Sequence, residues 1–440
     1  ILNHNVKNVN IDDFVNKELI HFSNSDTERS IGSVFDGLKP SQRKILYSCF
    51  KRKLYKEIRV AQLAGYVSEN SAYHHGEASL QGAIIGMAQN FVGSNNINLL
   101  MPNGQFGTRI MGGADSASPR YIHTELNKIV DILYPPCEHD LLEYNYDDGI
   151  KVEPKYYLPI IPMVLVNGMI GIGTGFSTCI PQYSPKDIIA NITNNLDYKP
   201  YKPMYPSYNN FIGKIINIDD NNYLSKGIYN IIDNETIEIT ELPIGKWTDD
   251  YKKYLDTLLS DNKIKDYTNN SSDNRVNFLI KLEKGKLDSL QWSENNNIDG
   301  IEKFFKLTTT KGLSTTNMHL YNNKSRIVKF NNIYDIMDTF IKERLKLYKK
   351  RYEHQCKNFT NKIDILNSKI RFIEEVINED IIIFKRKKKD IIDDLTDMQY
   401  LTCLDNKLNK SGNYDYLLKI SVDNFTEEEI SRLINERNKV

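Results

Sequence analysis

Arg120 and Tyr121 stand side by side near the end of the stretch 104–125, GQFGTRIMGGADSASPRYIHTE. A free tyrosine hydroxyl titrates near pH ~10, so attack on a phosphodiester at neutral pH needs positive charge around the phenolate and around the phosphorane that forms. Arg120 offers a rigid, permanently charged fork at that point. By itself an Arg-Tyr dipeptide is more often structural, so its neighbours decide its weight. Upstream, Lys39 and Arg43 fall four apart at the start of an expected helix, where both can point one way and meet a phosphate. A solvated basic face is the competing reading. The adjacent pair His74-His75 can donate to phosphate oxygens or move a proton, or can simply cap and pack. Two neighbouring histidines with no cysteine nearby do not make a tetrahedral zinc site.

The elements that must hold these residues are legible around them. Residues 11–28 read as an amphipathic helix followed by a polar loop. Asp36-Gly37 is a turn signal, Pro40 suits a first helical turn, and Ile45, Leu46, Cys49 and Phe50 give one apolar face. Within 60–92 two short helical patterns meet at Ser68–Ala72, the helix-turn-helix arrangement that can place a second helix in a DNA groove. The second helix carries Leu80, Ile84, Ile85, Ala88 and Phe91, and is expected to open at His74-His75. Gly93 to Gly113 is too irregular for a helix and reads as a functional loop. A helix is expected through Leu126, Ile129, Val130, Ile132 and Leu133, ending at Pro135-Pro136.

Composition removes several classes of function. The chain has 440 residues, enough for two or three domains, and its 57 Lys+Arg balance 57 Asp+Glu. Any basic surface is therefore local. Five scattered cysteines without CxxC spacing fit a reducing interior, and no signal peptide is visible. The uncharged run 158–180 is interrupted by Pro159, Pro162 and glycines, so it reads as a buried or DNA-facing loop and strand, with no membrane association. Asn runs at 221–222, 269–270 and 295–297 reflect an AT-rich source more than a function.

The words ERSIGSVFDGLKPSQRK, YHHGEASL, QNFVGSNNINLL, GQFGTR, DSASPRYIHT and IPMVLVNGMIGIGTGFS resemble, in order and spacing, the cleavage core of eukaryote-type type IIA DNA topoisomerases. The likeness is continuous from about residue 12 to 245 and thinner to the end. It implies that Tyr121 forms the 5'-phosphotyrosyl link and that Arg120 stabilises the transition state. Arg29, Asp36, Lys39 and Arg43 fall on the family's basic cluster and its acidic neighbour, and Tyr73, His74 and His75 on the element contacting DNA near the scissile phosphate. Ile172 matches the isoleucine that wedges between base pairs, offsetting unstacking with a larger wrapped contact. YHHGE, where bacterial relatives carry YHPHG, puts the chain on the eukaryotic side, large DNA viruses included. The general base stays open among His74, His75, a metal-bound water and solvent.

The implied fold class is α+β multidomain: 1–28 as a linker helix, 29–184 as a winged-helix domain, 185–330 as an α/β tower, and 331–440 as coiled coil and C-terminal gate. Arg275, Asn277 and Lys281 are expected on a DNA-facing strand of the tower, though a solvated edge strand serves equally. Ile341, Leu345, Tyr348, Tyr352, Cys356, Phe359, Ile363, Leu366, Ile370, Ile373 and Ile377 form a heptad with one stutter, and 426–440 starts like a capped returning helix. The run 385–389 reads as a solvated charged face. No EGDSA motif and no DxD cluster is present, so the resemblance implies Mg2+ held by a Toprim domain outside this chain and acting in trans, ATP at a further domain, double-stranded DNA as partner and a homodimer. It implies an intracellular protein, nuclear in a cellular eukaryote and at a replication site if viral. Two rivals are the A component of a two-chain, gyrase-like enzyme and a nonenzymatic DNA-bending protein using the same Ile172.

Overall fold

The computed structural model describes residues 8–440 except 291, 295–297, 405, 406 and 409–411. The Asn run at 295–297 therefore lies outside the described residues. The chain divides into two compact units, 1–345 and 346–440.

The first unit opens with α1 (Ile11–Phe14), a π-helical stretch (Val15–Leu19) and α2 (Ile20–Ser30) in one uninterrupted run. The expected polar loop before residue 28 is thus helix. Tertiary contacts override the weak helix formers there: Thr27 is buried, its hydroxyl donates to Ser23 O at 2.5 Å, and Asp26 is bonded to Thr174. Helix α3 (Pro40–Arg52) begins at Pro40 as expected, with the Lys39 N–H donating to Gln42 Oε1 at 3.0 Å. Ile45, Leu46 and Cys49 are fully buried on its inner face. Then come β1 (Ile58–Arg59), α4 (Val60–Ser71) and α5 (Glu77–Ala88). Ala72 ends α4 in the left-handed region and Gly76 caps α5, so His74 and His75 occupy the turn and do not open the second helix.

β2 (His123–Thr124) pairs antiparallel with β1, and α6 (Val130–Leu133) is a single turn, shorter than expected. The helix cannot start earlier because Leu126 N–H donates to Leu54 O and Asn127 N–H to Leu99 O. A 3-10 turn (Pro136–Leu141), the hairpin β3 (Tyr144–Asp147)–β4 (Ile150–Pro154), α7 (Met163–Val166) and the hairpin β5 (Met169–Gly173)–β6 (Phe176–Ile180) follow. The uncharged run is loop and strand except at α7, a single helical turn after Pro162 that the reading from its prolines did not include.

After α8 (Pro185–Leu196) come β7 (Lys214–Asp219), β8 (Asn222–Lys226), β9 (Ile228–Ile231) and β10 (Thr236–Glu241), then α9 (Thr248–Ser260), β11 (Asp266–Asn269) and β12 (Phe278–Lys281). The antiparallel sheet runs β11-β12-β10-β9. Tyr251, Leu255 and Leu258 on one face of α9 share a core with Ile237, Ile239, Phe278 and Ile280 of the sheet. Short elements α10 (Lys286–Ser289), β13 (Ser293–Glu294), β14 (Ile298–Asp299), α11 (Gly300–Phe304) and β15 (Thr308–Thr309) complete this region, and β16 (Met318–Tyr321) pairs with β17 (Ile327–Phe330).

Helix α12 (Ile333–Ile377) starts where the periodicity begins and runs 45 residues. The second unit adds α13 (Lys388–Asp397), β18 (Cys403–Leu404), β19 (Lys407–Leu408), α14 (Asp415–Leu418) and α15 (Glu427–Asn438). Thr426 caps α15 by accepting from Glu429 N. Leu366, Ile370 and Ile373 of α12 bury Leu433 of α15, and Lys362 meets Glu436 at 3.7 Å while Lys369, further along α12, acts on Glu429 near the start of α15, so the two helices run antiparallel here. Tyr348, Tyr352 and Phe359 of the heptad are exposed.

Candidate active site

Tyr121 is 78% exposed, on a loop fixed at several points. Its N–H donates to Ser118 O at 2.9 Å, while Ala61 N–H donates to Pro119 O at 3.0 Å and Val60 N–H to Ile122 O at 3.1 Å. Ile122 is buried, so the chain dives inward immediately after the tyrosine. The phenol is thereby held outward at the N-terminal end of α4, with the exposed Arg120 next to it. The loop before it closes on itself: Asp115 accepts from Thr108 N at 2.9 Å and from the Thr108 hydroxyl at 2.5 Å, and Ala117 N–H donates to Gln105 O at 2.9 Å.

His74 and His75 lie at the other end of α4. His74 Nε2 is 2.9 Å from Asp147 Oδ2 in the β3–β4 hairpin, and Tyr73 meets the His75 ring edge-on at 5.5 Å. Lys44 steadies that end, donating to Ser71 O at 2.5 Å and to Glu153 at 2.8 Å. Twelve residues at 1.5 Å rise separate the two groups by about 18 Å along the helix. One copy of the chain does not bring the histidines to its own Tyr121.

Lys39 and Arg43 diverge, contrary to the expectation that both point one way. Arg43 is buried with Asp36, donating from Nε at 2.8 Å and from Nη2 at 3.1 Å, and also to Leu38 O at 2.8 Å. Asp36 further accepts from Tyr157 N and Leu38 N, both at 2.9 Å. Burial works against the Arg43 charge, but the Asp36 carboxylate outweighs it and lifts the guanidinium above its ordinary value. Five hydrogen bonds and two buried charges make this pair an internal brace for the turn. Lys39, at the N-cap, instead lines an open cleft of about 930 Å³ with Gln42, Ile170, Lys246, Trp247 and Lys311. Burial lowers its ammonium pKa. Lys246, also desolvated and close to Lys306, is depressed to about 8.

Arg29 ends α2 exposed, held by Asp26 at 2.6 Å, and Asp26 also accepts from Thr174 N at 2.9 Å. That contact seats the β5–β6 hairpin on α2. A Cβ on Gly171 would collide with the Ser30 carbonyl oxygen, and one on Gly173 would come within 2.9 Å of Thr27 Cα. With the glycines facing the helix, alternation turns Ile170 and Ile172 outward. Ile172 is 81% exposed.

The three residues expected on one strand separate. Only Lys281 belongs to β12; Arg275 sits in a turn bonded to Ser272, and Asn277 donates to Glu238 Oε1 at 2.7 Å. Sequence reasoning missed that Asp147 and Asp26 brace His74 and Arg29, and that Asp115 closes the loop ahead of Tyr121 through Thr108. Asp147-Asp148-Gly149 carried a hairpin signal, but its partner is 73 residues away. No group of three or more His, Cys, Asp or Glu side chains that could hold a metal occurs among the described residues. No helix among them is long and apolar enough to cross a membrane.

The family model of DNA gyrase/topoisomerase IV, in its A component, matches residues 29–440. The chain belongs to this family. It is 45% identical to DNA topoisomerase 2 of Plasmodium falciparum over 433 residues, covering 97% of the chain and 30% of that protein. It is 41% identical to human DNA topoisomerase 2-beta over 463 residues, covering 98% of the chain and 28% of that protein. The chain thus spans about a third of the length of the curated relatives it matches. A crystal structure of the Plasmodium falciparum topoisomerase II DNA-binding, cleavage and re-ligation domain superposes with a TM-score of 0.88 at 42% identity, covering 100% of this chain and 62% of that one.

Proposed function

We propose that this chain is the breakage-and-reunion core of an ATP-dependent type II DNA topoisomerase. The reading rests chiefly on Tyr121, an exposed phenol directly after Arg120 on a braced loop, in a chain similar throughout to DNA topoisomerase 2. The Tyr121 oxygen attacks the phosphorus of a DNA phosphodiester. A tyrosyl ester to the 5'-phosphate forms as the bond to the 3'-oxygen breaks, and the 3'-oxygen takes the proton. Re-attack by the 3'-hydroxyl reverses the step, and because the ester keeps the bond energy, resealing needs no ATP. Arg120 stabilises the charge on the phosphorane.

Since His74 and Tyr121 sit at opposite ends of one helix, the histidine that serves each tyrosine belongs to the second copy in a homodimer. Two tyrosines related by a two-fold axis then give a double-strand break through which another duplex passes, relaxing and decatenating DNA. In finer terms, residues 29–184 act as the winged-helix domain, 185–330 as the tower, and 331–440 as coiled coil and C-terminal gate. Lys39, Arg29, Tyr73 and Ile172 face DNA, Arg275, Asn277 and Lys281 extend that surface, and Asp36 and Arg43 brace it from beneath. No residues among those described fit a metal site, and the resemblance to type IIA topoisomerases assigns Mg2+ to a Toprim domain acting in trans and ATP to another domain. A nuclear location accords with the eukaryotic relatives.

The test is Tyr121→Phe in the full-length protein. Covalent DNA capture and relaxation disappear while DNA binding stays within about two-fold, as expected when only a non-binding nucleophile is removed. Persistent covalent capture refutes the assignment.

A further inference from the structure

The loop that carries Tyr121 is tied to a second part of the fold that holds none of the residues proposed to touch the reacting phosphate. Arg109, inside GQFGTR, forms a buried two-point ion pair with Glu241 at the end of β10, and Glu241 also accepts from Leu242 N at 2.9 Å. Both side chains are almost fully enclosed. The same stretch is gripped by the start of α9, where Thr248 N–H donates to Arg109 O at 3.3 Å and Asp249 N–H to Ile110 O at 2.9 Å. Trp247 lies directly on Gly112. That glycine has φ +61°, and a Cβ there would overlap the indole. The indole also meets Phe91 edge-on at 5.8 Å, beside the end of α5.

From Gly112 the path to the tyrosine is short and stiff. Gly113 N–H donates to Thr108 O at 2.9 Å, Asp115 returns to Thr108, and the chain enters the Ser118–Tyr121 turn. The far end of that turn is pinned to α4. A loop fixed at one end to α4 and at the other to β10 and α9 sets the reach of its phenol by the distance between those anchors.

We propose that Arg109, Glu241 and Trp247 are positioning residues, which make the placement of Tyr121 depend on the β9–β12 domain and so couple what that domain binds to the cleavage step. None of the three touches the reacting atoms. The inference rests on reading Tyr121 as the nucleophile. Misplacement by about 1 Å costs up to roughly 100-fold in rate, so loosening either anchor suppresses chemistry without weakening DNA binding in proportion.

The experiment uses full-length protein carrying Glu241→Gln, Glu241→Asp or Trp247→Leu. It measures the single-turnover rate of covalent capture at saturating DNA, the DNA dissociation constant and the melting temperature. The expected result is a fall of about 10-fold or more in capture rate for Glu241→Gln, a dissociation constant within about two-fold, and partial recovery in Glu241→Asp. A folded Glu241→Gln protein that captures DNA within two-fold of the wild-type rate overturns the proposal, as does a loss that tracks DNA affinity alone. If Glu241→Gln is unfolded at the assay temperature, Trp247→Leu decides by the same criteria. Tyr121→Phe separates the two layers. If it retains capture, the nucleophile is wrong. If it abolishes capture while the positioning variants act normally, only the coupling fails.

Discussion

Tyr121 and His74 stand at opposite ends of α4, the tyrosine loop bonded to Val60 and Ala61 and the histidine held by Asp147 beyond Ser71. Their separation, about 18 Å along the helix axis, exceeds the reach of both side chains combined. A mixed dimer of Tyr121→Phe with a His74→Ala/His75→Ala chain is therefore expected to retain one complete site. It should nick DNA covalently on one strand, whereas either homodimer is inactive or slowed by at least ~100-fold, the usual scale of a lost acid-base group. Gel separation of nicked from linear product checks this, and absence of nicking means that the groups act within one copy.

The Asp36–Arg43 brace predicts a stability effect in place of a local catalytic one. Asp36→Asn leaves Arg43 charged, buried and half-partnered, which costs about 3–5 kcal/mol. A clear drop in melting temperature without DNA is expected, larger than for Lys39→Ala, whose ammonium lines an open cleft.

Ile172→Ala should do the reverse. The side chain is exposed, so the free protein keeps its stability within about 0.5 kcal/mol. Removing three carbons from a wedge costs the bent complex about 2 kcal/mol, roughly 30-fold in the ratio of bent to straight DNA. Energy transfer between dyes at the two duplex ends reads this ratio directly.

Lys246 gives a pH signature. Its pKa is depressed to about 8, so it is charged below that value and neutral above it, and an anion on the cleft favours the charged form. DNA affinity should therefore fall as pH rises through 8, and Lys246→Met should flatten that step. The variant should also reduce the log-log salt slope of binding by about 1. Stability of the free protein has the opposite sign: from pH 8 up to the ordinary lysine value the unfolded chain holds the extra proton, so folding gains as pH rises.

What the sequence yielded and what it withheld divide along sequence distance. Pro40, the α12 periodicity and the Thr426 cap depend on neighbours within a few residues, and all three appear where expected. The misreadings at 23–30 and at 126–129 come from partners far along the chain: Thr174 for Asp26 and Leu54 for Leu126. Motif words located Tyr121, His74 and Ile172, yet no local pattern shows that Asp147 holds one of them or that Trp247 covers Gly112. A pairing of this kind is a property of the folded chain and leaves no trace in spacing.

The glycine alternation on β5 has a mechanical consequence. A hairpin lying flush along α2 is a beam clamped on its long edge, with Ile172 as its free tooth. Under the proposed wedge role, base pairs pressing on that tooth would meet a ribbon that cannot fold away, and the load would pass through Thr174 and Asp26 into the helix that carries Arg29 in its last turn. On that proposal, bending of the duplex and orientation of that arginine are parts of one lever.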